Sequence, residues 1–499
     1  MDLSRTTVQA YTTAYIAGLT TTQLAALTSL NLSYLLPGQV AVLTATQVGS
    51  LATSQVRGLT STQLGALSTS GFSGLTSTQI KNLFPVQFDG LTTTELALLT
   101  TTQRAGLTTS ELASLDAAQL NAFTTTLIAA LTVGQVDGLT STQIGRLNTT
   151  TFGALTATQI GGLTTTQVKG LSVVQITSLT TSQLNGLTST EISALGSLQI
   201  QAITTTELAA LTTTQASGIN VHQAPALSSD QLNALSSADI GALSSGQFVG
   251  LTSTQIGALS TTAFSGLTST QIHNLTTTQA QGFSANDLAV MTSTQASGLV
   301  KNVMKVLTTT QVNALSTSAM AVLTSTQIAG LSVTDISDLS TTNFSALTSK
   351  ALAALTANQV KSLTTTELSV LSATQLSGFR ATVLAELTDT QVASLLSTSV
   401  IAALAPTQIA VLSTAIWFTA SQLAALTTTD IAVLTTTVVS GLVGSQMVAL
   451  TTSEIGAFTV TQIPELAPAA LAALNTLQVS GFTSTQLGVM SVGQLNVLA

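Results

Sequence analysis

The sequence has no cysteine, one tryptophan and three tyrosines, and charged residues fill only 6% of its 499 positions. Without cysteine there is no disulfide framework, no thiolate metal site and no thiol nucleophile. Eleven Lys and Arg stand against nineteen Asp and Glu, for a net charge of −8, and no basic patch is present to hold a phosphate backbone. Nucleic acid is therefore not an expected partner. No apolar run reaches the ~18 residues that a membrane-spanning helix needs, so no transmembrane segment is expected. The opening Met1-Asp2-Leu3-Ser4-Arg5 lacks the basic and apolar regions of a cleavable signal. Either secretion follows another route or the chain continues into something longer.

What is present is one unit repeated without linkers. Leu251-Thr252-Ser253-Thr254-Gln255-Ile256-Gly257-Ala258 is a copy of the octad L-T-[TS]-T-Q-[ILV]-x-[GA]. Numbering its positions one to eight, every eighth residue from Leu3 to Leu387 is apolar. Disordered chains lack the apolar surface to offset ordering entropy, and 44% hydrophobic residues in a strict period do not fit that class.

The octad reads as a helix start signal. With Thr252 at the N-cap, Gln255 falls at N3 and the two form a capping box; Leu251 and Ile256 then occupy the hydrophobic-staple positions. Position eight, often Gly, is expected to end the turn in the left-handed region. Proline agrees: Pro37, Pro85, Pro406 and Pro468 all occupy position three, the first helical residue, where a missing N–H is tolerated. Pro225 and Pro464, at position seven, fit no such rule. The acids Glu95, Glu111, Glu191, Glu207, Asp239, Asp287, Asp335, Glu367, Asp430 and Glu454 all stand at position five, near the positive end of a helix dipole. The bases Arg57, Lys81, Lys169, Lys305 and Lys361 stand at position seven, near the negative end. A strand would separate positions one and six onto opposite faces. An all-α fold is expected, with a β-solenoid as the alternative.

A longer period overlies the octad. Before Leu59 and every sixteenth residue from there to Leu395, position eight is only Gly, Ala or Ser, as in Gly58, Gly74, Gly90, Gly106, Ala122 and Gly138. The intervening octads carry Asn82, Leu98, Arg146, Val290, Val306, Asp338 and Glu386 there. The first class must pack closely on a neighbour. This alternation predicts an α-solenoid with two octads, sixteen residues, per coil, positions one and six in the core and positions three and seven exposed. Residues 1–499 form one array of roughly 31 such coils, spanning on the order of 250–300 Å at ~8–10 Å per helix layer. One irregularity, at 395–418, inserts a residue near Leu395-Leu396 and shortens the unit from Leu412 to Trp417. Trp417 is expected to fill the gap there, and a bend in the array is expected.

Little else carries chemistry. His222 and His273 occupy different octad positions and lack the i, i+4 spacing of a metal pair. Glu95 and Glu111, one sixteen-residue coil apart, could stack around a cation, but helix capping already explains them. Tyr11, Tyr15 and Tyr34 read as packing near the first coils, and Lys301, Lys305 and Arg104 as departures from the consensus. No catalytic, cofactor-binding or metal residues are assigned, and no enzyme is expected.

The octad resembles the Thr/Gln-rich octapeptide-repeat regions of large bacterial secreted or surface proteins, and that resemblance implies a structural role outside the cell. The Thr-x-Thr at positions two and four also resembles the arrays of ice-binding β-solenoids, though without a tyrosine ladder. The expected function is an extracellular filament, stalk or surface fibre. It would associate head to tail with itself or continue a longer chain, with cell-surface attachment. An ice-binding or adhesive solenoid is the alternative.

Overall fold

A computed structural model describes residues 3–395, 397–413 and 418–499. Among the described residues there are fifty-nine α-helices, each of four to seven residues, two 3-10 helices and no strand. The protein is an all-α repeat solenoid, and the β-solenoid alternative is set aside. Circular dichroism of the purified protein is accordingly expected to carry a helical signature; a spectrum dominated by strand signal would contradict it.

Each octad makes its helix as its side chains dictate. In the reference octad the Thr252 N–H donates to Gln255 Oε1 at 2.8 Å and the Gln255 N–H donates to Thr252 Oγ1 at 3.2 Å. This is the reciprocal capping box, in which an N-cap side chain contributes about 1 kcal/mol. The four position-three prolines all open helices, at Pro37–Val40, Pro85–Phe88, Pro406–Leu412 and Pro468–Leu471. Pro225 and Pro464 lie in the two 3-10 helices, Ala224–Ala226 and Ile463–Glu465. A proline at position seven removes a donor from the turn, and the turn tightens.

The left-handed ending expected at position eight does not occur: among the described residues no glycine or other residue has positive φ. Gly58 closes its helix at φ −76°, ψ −16°. The corner is made instead by extended backbone, as at Thr252 in position two and, where the helix runs longer, Leu115 in position one. Position-eight glycine is present for space, not for conformational freedom.

The coil contains three octads, not two. Helices stack on the third helix along the chain: Thr165–Gly170 lies on Ser141–Gly145, and Thr309–Ala314 on Ala285–Ala289. Position-five side chains reach back 28 residues, Gln159 to Leu131 and Gln327 to Leu299. Each coil is therefore 24 residues, so a sequence of 499 residues amounts to on the order of twenty coils rather than 31. The sixteen-residue alternation is real but has another cause. Three is odd, so a small-position-eight octad always stacks on one of the other class. Alternation along the chain thus becomes alternation up each of the three faces.

Two compact units, Met1–Gly250 and Leu251–Ala499, are built the same way. In both, positions one and six are buried, as in Leu155 and Ile160 of the first and Leu267 and Ile272 of the second. Position five is buried as well, which the octad pattern did not suggest, and position three is half-buried in many octads rather than exposed. In the second unit the inserted residue registers directly: Gln408 reaches Phe379, 29 residues back instead of 28. Trp417, Leu396 and the expected bend lie outside the described residues.

Candidate functional site: the seam between coils

The contact that recurs along the chain is a glutamine joining one coil to the coil before it. Gln159 shows the arrangement. Its Oε1 accepts from the Thr156 N–H at 2.7 Å, and its own N–H donates to Thr156 Oγ1 at 3.2 Å. Its Nε2 donates to the carbonyls of Ile128 at 2.9 Å and Leu131 at 2.7 Å. Those carbonyls lie at the C-terminal end of the helix Thr125–Ala130, where the last four carbonyls of any helix lack intrahelical donors. One amide therefore caps two helices, its oxygen serving the start of its own and its nitrogen the end of another. Gln79, Gln175, Gln327, Gln462 and Gln494 repeat the geometry.

Beside the amide, position eight packs on position three of the preceding coil. A Cβ built on Gly90 would lie 1.9 Å from the Ser61 carbonyl oxygen, and one on Gly58 would lie 2.5 Å from that of Ser29. In the other class the side chain turns outward, as with Leu98 and Val290, both 44% exposed. Each seam is polar and directional: amides and small residues on one side, carbonyls and position-three backbone on the other.

The position-five acids keep the box and lose the bridge. Glu95 Oε2 accepts from the Thr92 N–H at 2.7 Å, but Glu95 Oε1 is buried without a hydrogen-bond partner, as are Asp287 Oδ1, Glu367 Oε1 and Asp430 Oδ1. Burial raises the Glu95, Glu111, Asp287 and Glu367 carboxyls above their usual range, and hydrogen bonds to the N-cap residue offset part of that rise. At Glu367 the charge of Asp338 adds to the rise. The pairing of Glu95 with Glu111 around a cation is overturned. With 24 residues per coil, the helix Thr93–Ala97 stacks on Thr69–Ser73 and Ala117–Asn121, while Thr109–Ser114 stacks on Pro85–Phe88 and Val133–Asp137. The two acids stand on different faces.

The remaining residues of interest stay apart. His222 and His273 are exposed, and among the described residues no group of three or more His, Cys, Asp or Glu is placed to hold a metal ion. Tyr11 and Tyr15 stack with ring centroids 4.6 Å apart, and the Arg5 guanidinium lies 5.9 Å from the Tyr34 ring. Lys361 pairs with Glu386 at 3.0 Å on the surface, where such a pair contributes little. The Arg57 guanidinium sits 4.1 Å over the Phe84 ring. A groove of about 690 Å³ lined by Gln201, Thr204, Thr205, Ser228, Asp230 and Gln231 is open to solvent and offers no nucleophile activated by a base. The glutamine bridge was missed at the level of sequence, although a signal existed. Glutamate closes a capping box as well as glutamine does, yet position five is mostly Gln, so the amide N–H must have a use.

The ALTTAQ repeat family model matches residues 48–85, 225–253 and 245–277. Comparison with curated proteins returns no match. Among solved structures, the leucine-rich repeat-containing protein LegL7 from Legionella pneumophila aligns at 15% identity and a TM-score of 0.16, over 59% of this chain and 84% of that one. A homology model of the full-length AP-3 complex in an intermediate open conformation aligns at 11% identity and a TM-score of 0.18, over 95% and 85%. Likeness at that level carries no argument about function. The three matched segments, together with the helical coils, make this a repeat protein with similarity to the ALTTAQ repeat.

Proposed function

We propose that the protein is a non-catalytic structural element that associates end to end with further copies of itself, forming an extracellular filament, stalk or fibre at a cell surface. The observation that supports this reading is the polarity of the seam. A coil's leading and trailing faces differ and complement each other, so each added coil presents the face the next one needs. A heterologous contact of that kind does not close on itself and generates open assemblies. In the coil formed by the last octads, the position-six residues Leu487 and Leu495 are 38% and 41% exposed, whereas Ile144 and Ile160 at the same position are 0% exposed. Wherever position six is covered within the array, what covers it is another coil of the same octad. In residues 3–26 position five is Thr7, Tyr15 and Gln23, so one octad of the three carries the amide. The same faces would serve a further copy or a continuation of the same chain.

Electron microscopy over a concentration series tests the reading. Assemblies that lengthen with concentration are expected, together with their loss in Leu495→Asp, whose helical signature should persist. Monodisperse monomers at high concentration would overturn it. The ice-binding alternative was the Thr-x-Thr spacing at positions two and four, which in the proteins it resembles lies on flat strand faces; the described residues form no strand, and the position-two hydroxyls serve the helix starts. Those hydroxyls, as in Thr156 and Thr252, are occupied in capping.

A further inference from the structure

We propose that the position-five glutamates form acid-tightened seams: once protonated, Glu95 and Glu367 each donate a hydrogen bond to the position-one carbonyl of the preceding coil, in place of the glutamine amide. The 28-residue register that leads Gln159 to Leu131 sets Glu95 opposite Leu67 and Glu367 opposite Leu339. Glutamate has the length of glutamine, and its second oxygen occupies the place of the amide nitrogen. That oxygen is buried and unpartnered in both residues. Ionised, it has no proton for the carbonyl, and two acceptors meet in a place shielded from water, which is costly. A carboxylic acid supplies one O–H donor, and its transfer from solvent to Oε1 completes the bond with no other reactant.

The placement of the acids supports this independently. All eight position-five acids up to Leu387 fall in the octads whose position eight is not of the closely packed class, ending in Leu98, Ser114, Ala194, Ala210, Ala242, Val290, Asp338 and Val370. None falls where a glycine such as Gly90 or Gly106 presses on the preceding coil. The acids therefore avoid the octads in which a glycine presses on the coil before it.

Few charges face these groups. The helices packed on Glu95, Thr69–Ser73 and Ala117–Asn121, bear none of their own, and Asp116 caps the second; Asp89 and Arg104 stand on the flanking turns. For Glu367, the stacked helix Thr341–Ser345 has none and Asp389–Leu395 begins with Asp389; Asp338 adds negative charge, and Lys361 is paired with Glu386. Both carboxyls are raised in the folded state, by burial first. Their contribution to stability is thus fully present below the unfolded value of 4.5 and is lost as pH rises through the higher folded value. Acid strengthens these seams.

Amide hydrogen exchange on the full chain, corrected for intrinsic rates, tests this at about pH 4 and about pH 7.5. Peptides covering 67–75 and 91–99 in the wild type should gain roughly tenfold protection on acidification, on the order of what one net hydrogen bond contributes. E95Q should show the acid level of protection at both pH values, while E367Q should leave these peptides as in the wild type. Q79E, placed in a seam where Gln79 now bonds Val48 and Leu51, should acquire the response. E95Q retaining the wild-type response, E95Q less protected than wild type at neutral pH, or Q79E without a response would each overturn the proposal. The result is independent of whether copies associate end to end.

Discussion

Gly90→Ala is expected to destabilise the protein by about 1–3 kcal/mol, although alanine is the better helix former. The Cβ it adds would lie 1.9 Å from the Ser61 carbonyl oxygen and 2.4 Å from the Ser61 carbonyl carbon. Both are backbone atoms, so no side chain can turn aside, and the two coils must separate. The cost extends beyond one contact, because the amide of the same octad, Gln87, donates to the Leu59 carbonyl at 2.6 Å and would be drawn away from it. The control is Gly134→Ala. Gly134 lies within the helix Val133–Asp137 with nothing within 4 Å of a built Cβ. There the substitution should stabilise by about 0.5–1 kcal/mol, through helix propensity and lost freedom of the unfolded chain. Urea unfolding of both variants checks the pair. Equal effects would mean that position eight is not sterically closed.

Gln159→Ala is expected to cost about 2–4 kcal/mol, because several buried backbone groups each lose a partner. The Thr156 N–H loses Oε1, and the carbonyls of Ile128 and Leu131 lose Nε2. Gln159 is 2% exposed, so water does not readily replace the side chain. Gln159→Glu separates the two halves of this effect. The capping box survives, as it does at Glu95, and only the bridge is lost, so its cost at neutral pH should be about 1–3 kcal/mol. Chemical denaturation should rank wild type above Gln159→Glu above Gln159→Ala. A glutamate variant as destabilised as the alanine variant would place the stabilising effect in the bridge and not in the box. An unchanged glutamate variant would mean the bridge adds nothing.

Much of the local structure was legible because it is decided within eight residues. Thr252 and Gln255 satisfy each other three residues apart, Pro85 can only open a helix, and Leu251 and Ile256 meet over one turn. The candidate site was half legible. Position five was recognised as a cap, but its second role joins residues 28 apart, and nothing within one octad reveals which carbonyl Gln159 Nε2 will meet. Position eight misled in two ways. Its glycines suggested a left-handed ending, where Gly58 is right-handed and merely close to Ser29. Its alternation suggested two octads per coil, where an odd number produces the same pattern.

By itself, then, the sequence determined that the chain is a helical repeat, where each short helix begins, and which two positions form the core. Capping boxes, prolines and apolar spacing act through neighbours along the chain, and their outcome does not depend on what lies across a seam. Only the tertiary structure decided how many octads close a coil, and with that the partners of Gln159, Gly90 and Glu95. The reason is geometric. The number of octads per turn depends on how far the chain turns between successive helices, about a third of a full turn when every third helix stacks, and that turn shows in where position eight meets the coil before it. No octad contains that contact, because its other half lies 29 residues away at Ser61.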